Sequence, residues 1–176
     1  MARYVALLRG VNVGRDTKVA MADFKDVLAA LGHTDVRTHL NSGNAVFTGP
    51  EAPTERIAAA IEGRLAAAVG RTVPVMVRTA AELRAIVEGN PLEVRDPARF
   101  AVAFLAEAPA PERLRALDPA EFAPEELRLG EKELYLYFPD GLGRAKLPAI
   151  LDKRLGVPAT LRNGNTVLKL LTLSED

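Results

Sequence analysis

From Arg3 to Val77 the chain alternates short apolar runs with amphipathic stretches in the order β-α-β-β-α-β, and from Phe100 the same order comes round again. Few folds accommodate that order. Two strand–helix–strand units whose strands interleave in one antiparallel sheet make the split-βαβ, ferredoxin-like plan. In the first stretch, Arg3–Arg9 (RYVALLR) reads as a buried strand closed by a charge. Phe24, Val27, Leu28 and Leu31 recur at helical spacing before Gly32. Val36–Leu40 and Asn44–Thr48 read as a hairpin turning about Ser42-Gly43. Thr54 is placed to cap a helix with Ile57, Ile61, Leu65 and Val69 inward, ended by Gly70, and Val73–Val77 is the fourth strand.

Thr79-Ala80-Ala81-Glu82 is a capping box, and it starts a helix stopped at Gly89-Asn90-Pro91 that reads as a connector. The second round comprises a strand at Phe100–Leu105 and a short helix at Glu112–Leu117 opened by Pro111. A hairpin follows, Glu126–Leu129 and Glu133–Phe138, about Gly130-Glu131-Lys132. Next come a helix over Arg144–Leu155 and a strand at Ala159–Arg162. A terminal helix at Val167–Leu173 follows, with Asn165 as its cap. The expectation is an α+β protein of two tandem ferredoxin-like βαββαβ halves with antiparallel sheets and a C-terminal helix. Residues 1–78 form the first half, 79–99 the connector helix and loop, and 100–176 the second half, in one compact unit. Whether the two sheets stack or join at an edge stays open.

Composition narrows the function classes. With 48% hydrophobic and 26% charged residues the chain of 176 belongs with globular proteins, not with disordered or membrane chains. The absence of cysteine excludes disulfides, thiolate nucleophiles and Cys-ligated metals. The apolar run Tyr4–Leu8 is too short for a signal peptide or a membrane span, so a cytoplasmic protein without a membrane partner is expected. The two histidines, His33 and His39, lack metal-site spacing, so neither metal nor cofactor is expected. Ser42 has no evident His–Asp partners, and Asp23, Asp26, Glu62 and Glu82 read as helix faces or caps rather than as an acid–base couple.

Charge is balanced overall but unevenly spread. Residues 1–78 carry ten basic against seven acidic groups (+3), residues 79–143 seven against thirteen (−6), and residues 144–171 six against one (+5). Three polar clusters lie in the basic parts. Arg9-Gly10-Val11-Asn12-Val13-Gly14 with Lys18 follows a strand, where glycines and Asn can turn backbone N–H groups toward an anion. Asn41, Ser42 and Asn44 make the hairpin turn more polar than a turn requires. Arg162, Asn163 and Asn165, with Lys169 one turn on, put charge at a helix start. Arg144 and Lys146 begin the preceding helix, where cations oppose the helix dipole. Each cluster also has a plain structural reading as a turn or junction. Tyr135 and Tyr137 share one strand face and read either as packing groups or, on an open sheet, as a platform for bases.

Together these segments resemble a known family. Leu7–Gly14 (LLRGVNVG) with Lys18 and Met21, Leu40–Phe47 (LNSGNAVF), Gly143-Arg144 with Lys146-Leu147, and Arg162–Leu170 (RNGNTVLKL) resemble the bacterial family called domain of unknown function 1697. The resemblance covers nearly the whole chain. It implies two ferredoxin-like halves and makes Arg9, Asn12, Asn41, Ser42, Asn44, Arg162, Asn163, Asn165 and Lys169 signature residues, but it brings no activity. His33 and His39 stand where the family usually carries aromatics, and Gly164 where it often carries Trp. The histidines are therefore not signature residues, and the turn at Gly164 lacks a stacking group.

The function expected from the sequence is binding of a small anionic ligand, a nucleotide or a phosphorylated metabolite, at the junction of the two halves. Arg9, Asn12, Lys18, Asn41, Ser42, Asn44, Arg144, Lys146, Arg162, Asn163, Asn165 and Lys169 are the candidate contacts. Alternatives are a metal-independent enzyme on such a ligand, and a nucleic-acid or protein-binding module. Net neutrality counts against nucleic acid. The oligomeric state is not legible.

Overall fold

A computed structural model describes residues Met1–Asp176. Its first sheet comprises β1 (Ala2–Leu8), β2 (Thr34–Thr38), β3 (Asn44–Gly49) and β4 (Val75–Thr79) in the order β2-β3-β1-β4, every pair antiparallel. Helices α1 (Met21–Ala30) and α2 (Thr54–Val69) make the two crossovers. The second sheet comprises β5 (Phe100–Leu105), β6 (Glu126–Leu129), β7 (Glu133–Tyr137) and β8 (Ala159–Asn163) in the order β6-β7-β5-β8, again antiparallel. Its crossovers contain the short helices α4 (Pro111–Arg115) and α5 (Leu151–Leu155).

The runs that read as buried strands are buried on both faces. In the first sheet Tyr4, Ala6, Leu8, Phe47, Val75 and Val77 form one core with Phe24, Leu28, Ile57, Ile61 and Leu65 of the helices. The alternate residues Val5, Leu7, Val46 and Met76 are also buried. In the second sheet Ala101, Ala103, Leu105, Leu134, Leu136 and Phe138 pack with Leu147, Leu151 and Leu155, while Val102, Phe104, Tyr135 and Tyr137 are buried on the opposite face. Period-two alternation explains both sets. It also removes the nucleic-acid platform: Tyr135 and Tyr137 are 4% and 3% exposed.

The halves repeat in register although their residues differ. Val5 stands opposite Val46 and Arg78, and Val102 stands opposite Tyr135 and Arg162. Leu7 stands opposite Asn44 and Met76, and Phe104 opposite Glu133 and Thr160. The correspondence continues beyond the sheets. Thr79 and Asn163, equivalent by this register, each cap the helix that follows. The Thr79 hydroxyl accepts from Glu82 N (3.0 Å), and the Glu82 carboxylate accepts from Thr79 N (3.2 Å). Asn163 Oδ1 accepts from Thr166 N (3.0 Å). Helix α3 (Ala80–Glu88), the connector of the sequence reading, is therefore the counterpart of α6 (Gly164–Glu175), and the repeat is βαββαβα.

By contacts the chain divides into two units. One holds Met1–Ala85 with Lys169–Asp176, the other Ile86–Leu168, so the divisions fall inside α3 and α6. Within the first unit the end of α6 is held by its cations. Arg3 donates to Leu173 O (3.3 Å), Arg84 pairs with Glu175, and Arg37 pairs with Asp176 (3.5 Å). Cations at a helix C-terminus meet its unsatisfied carbonyls and the negative end of its dipole.

Several boundaries differ from the sequence reading. The helix expected over Arg144–Leu155 is broken into 3-10 turns at Leu142–Arg144 and Leu147–Ala149 before α5, because Pro148 has no N–H to donate and clashes with the preceding turn. Strand β4 begins at Val75 rather than Val73, since Pro74 cannot join the ladder. Strand β2 starts at Thr34 and ends at Thr38. Its register breaks between Thr34 and Arg37, and Leu40 leaves the strand with φ +63°. Helix α6 is capped by Asn163 rather than Asn165, and it begins at Gly164 rather than Val167.

Candidate functional site

In the first unit, β1 runs into the Arg9–Lys18 loop, whose polar groups chiefly hold the chain together. Asn12 adopts φ +56°, a conformation Asn tolerates better than most residues. Its Nδ2 donates to Val19 O (3.0 Å) and to Asn41 O, and its Oδ1 accepts from Val19 N (3.0 Å). The loop neck closes through Asn12 N to Thr17 O (2.8 Å), and Arg71 donates to the same carbonyl (2.9 Å). Across the turn, fully buried Asn44 donates to His39 O (2.7 Å) and Ser42 Oγ (3.0 Å), while Leu8 N donates to Gly43 O (2.8 Å). Asn12, Asn41, Ser42 and Asn44 are thus brought together, and the amides of Asn12 and Asn44 are engaged by the backbone. Arg9 is half-buried beside them, and Lys18 is exposed.

In the second unit Arg162 lies on β8 and is 7% exposed. Its guanidinium donates to Thr160 Oγ1 (2.7 Å) and Leu161 O (3.0 Å), and burial pushes its pKa down to about 10, so it stays charged at neutral pH. Arg78 occupies the equivalent place on β4 and is 3% exposed. The sequence reading missed Arg78 because its neighbours looked like an ordinary strand. Asn163 is the α6 cap, Asn165 is exposed on the first turn of α6, and Lys169 is exposed within the first unit.

Arg144 and Lys146 have a different setting. Both line a cavity of about 310 Å³ in the second unit, floored by Phe122 and Phe138 and walled by residues 121–125 and 140–146. Glu125 ties the two walls together: its Oε1 accepts from Lys146 N (2.9 Å). Its Oε2 is enclosed and accepts nothing. Glu121 is committed elsewhere, to a two-pronged pair with Arg154 (3.0 Å each), which holds its carboxyl below the usual range. Neither the Arg144 guanidinium nor the Lys146 ammonium is engaged by another side chain, and the Asp140 carboxylate also lines the space. Glu125 escaped the sequence reading because the adjoining Pro119–Pro124 looked like a linker, and Asp140 because Pro139-Asp140-Gly141 looks like an ordinary turn. The signal for a wall was there in Pro119 and Pro124, which stiffen a segment that carries Glu121 and Glu125.

A second cavity, of about 200 Å³, lies among Phe100, Val102, Tyr135, Gly164, Val167 and neighbouring residues. Its polar groups are already satisfied. The Tyr135 hydroxyl donates to Ile86 O (2.8 Å), burial pushes its pKa up to about 12, and the Asn90 amide bonds both ways with Leu92. It offers an anion nothing.

His33 is a packing residue. Its ring lies 4.5 Å from that of Phe47, and its Nδ1 is enclosed without a partner against Gly49, where any Cβ would stand 2.4 Å from that nitrogen. Burial lowers its pKa below the ordinary 6.5. The unfolded chain then binds a proton that the folded chain refuses, so stability is full above 6.5 and falls as pH drops from there through the folded value. Urea midpoints at about pH 7.5 and about pH 5.5 are expected to differ more in the wild type than in His33→Phe, which removes the titrating ring; equal differences would refute the assignment.

Two four-stranded antiparallel sheets with interleaved helices and a C-terminal helix define an α+β protein of tandem split-βαβ halves. The comparisons with known proteins agree. Residues 1–135 match the family model DUF1697, described as "Protein of unknown function", and the chain belongs to that family. No curated protein matches it. Among solved structures it is similar to the conserved bacterial protein SP0830 from Streptococcus pneumoniae, with a TM-score of 0.79 and 25% sequence identity over 100% of this chain and 99% of the other.

Proposed function

We propose that this protein binds a small ligand bearing an anionic group, a phosphorylated metabolite or the phosphate end of a nucleotide, in the cavity of its second unit. The observation that supports this is the placement of Arg144 and Lys146. Two cations singled out from the sequence line the same cavity of about 310 Å³, and neither is neutralised by an ion pair. That volume is at the lower end for small-molecule sites, roughly 300–1,000 Å³, which suits a compact metabolite. Arginine offers a planar fork to phosphate or carboxylate oxygens, and lysine a point charge beside it. Asn12 and Asn44 do not enter this reading, because their amides are used by the fold.

The test is a thermal-shift screen against nucleotides and phosphorylated metabolites. A ligand present at a hundredfold its Kd adds about 2.7 kcal/mol of stability. The response is expected to vanish in the double variant Arg144→Ala/Lys146→Ala, whose exposed substitutions leave the core intact. A flat response of the wild type across the panel sinks the proposal, as does an undiminished response of the double variant.

A further inference from the structure

The cations of this cavity are matched by carboxylates. With Glu121 paired to Arg154, the remaining wall charges are Arg144 and Lys146 against Glu125 and Asp140. The space is about 310 Å³, at the lower end for small-molecule sites, so one small molecule fills it and lies against both walls. A bound group therefore feels the carboxylates as well as the cations. A plain dianion gains from one pair and loses to the other. A ligand whose own charge is divided gains from both, which is how charge complementarity selects a partner.

We infer that the ligand is a small zwitterion, carrying an ammonium group as well as its phosphate or carboxylate. This rests on the anion-binding reading above. Arg144 and Lys146 take the anionic group. Asp140, exposed on the 139–146 segment, and Glu125 on the opposite wall take the ammonium. Glu125 has capacity for this. One of its oxygens is bonded to Lys146 N, while the other, enclosed in the wall, accepts no hydrogen bond, a cost relieved once a shift of the Glu125 side chain turns that oxygen to a donor in the cavity. An ammonium supplies three donors, enough for both carboxylates at once.

Two matched probes test it by calorimetric titration of the full chain: O-phosphoethanolamine, and 2-hydroxyethyl phosphate, which replaces the ammonium with a hydroxyl. The wild type is expected to prefer phosphoethanolamine by about tenfold, the scale of one charge-assisted hydrogen bond. In Glu125→Gln/Asp140→Asn the preference is expected to fall within about twofold, with 2-hydroxyethyl phosphate bound no more weakly than before. Gln keeps an oxygen for Lys146 N, and should the double variant fail to fold, Asp140→Asn alone is expected to reduce the preference. Equal affinities in the wild type, or a preference that survives the substitutions, overturn the zwitterion while the anion-binding reading stands. If neither probe binds, the small zwitterion falls, while the anion-binding reading is decided by the thermal-shift panel.

Discussion

Replacing Phe47 with alanine is expected to cost about 3–5 kcal/mol, a large fraction of the roughly 5–15 kcal/mol an ordinary domain possesses. Phe47 is fully buried at the middle of β3, opposite Tyr4 in the register. Its ring lies 5.7 Å from that of Tyr4 in a stacked arrangement and 4.5 Å from that of His33. Truncation removes the transfer energy of the ring and leaves a cavity in the close-packed core that Phe47 shares with Phe24 of α1 and Ile61 of α2. The two aromatic contacts add to the loss, about 0.5–1.5 kcal/mol for a ring pair. Denaturant midpoints read the effect. Leu129→Ala serves as the comparison: Leu129 is 44% exposed on the edge strand β6 and its truncation is expected to cost under about 0.5 kcal/mol. A loss at Phe47 below about 1 kcal/mol would mean that the first core repacks freely, contrary to its close packing.

Phe47 also shows what was legible beforehand. It was placed on a strand by the apolar run that follows Asn44, and its burial follows from alternation along that run. The element order and all eight strands could be read because periodicity and Gly/Pro punctuation are local signals. Two kinds of information were not local. The equivalence of α3 and α6 depends on Thr79 and Asn163 sharing a register position, which no spacing along the chain displays. The roles of the polar residues depend on their partners. Asn12 reads from the sequence as part of an anion-turning loop, Asn44 as part of an over-polar turn, and Arg144 as a cation opposing a helix dipole, and no local pattern tells their outcomes apart. The amides of Asn12 and Asn44 are engaged by backbone, whereas Arg144 faces a cavity. Glu125 and Asp140 gave no sign of themselves because carboxylates beside Pro and Gly look like an exposed turn until the segments across from them are known.

The turn at Gly43 offers the sharpest separation of a structural role from a ligand role. Gly43→Ala is expected to destabilise by about 2–4 kcal/mol, for two separable reasons. Its φ of +90° disfavours any side chain, and an added Cβ would stand 2.7 Å from Leu8 Cβ and 3.0 Å from Leu8 Cγ and Val11 Cγ2. Leu8 and Val11 are themselves buried, at 0% and 2% exposure, so neither can swing away. The Leu8 N to Gly43 O bond holds the backbones at that approach. Gly10→Ala isolates the first reason. Gly10 has φ +69° but nothing within 4 Å of the added Cβ, so about 1 kcal/mol of backbone strain is expected there and no more. The excess at Gly43 measures the steric contact together with the further backbone cost of φ +90° over +69°. If Gly43→Ala costs no more than Gly10→Ala, the turn is not packed against β1 as described, and the polar residues around it regain their claim as a binding site. If the excess appears while the response to anionic ligands is unchanged where the variant is folded, the Asn41–Asn44 turn belongs to the framework and the search for contacts narrows to Arg144 and Lys146.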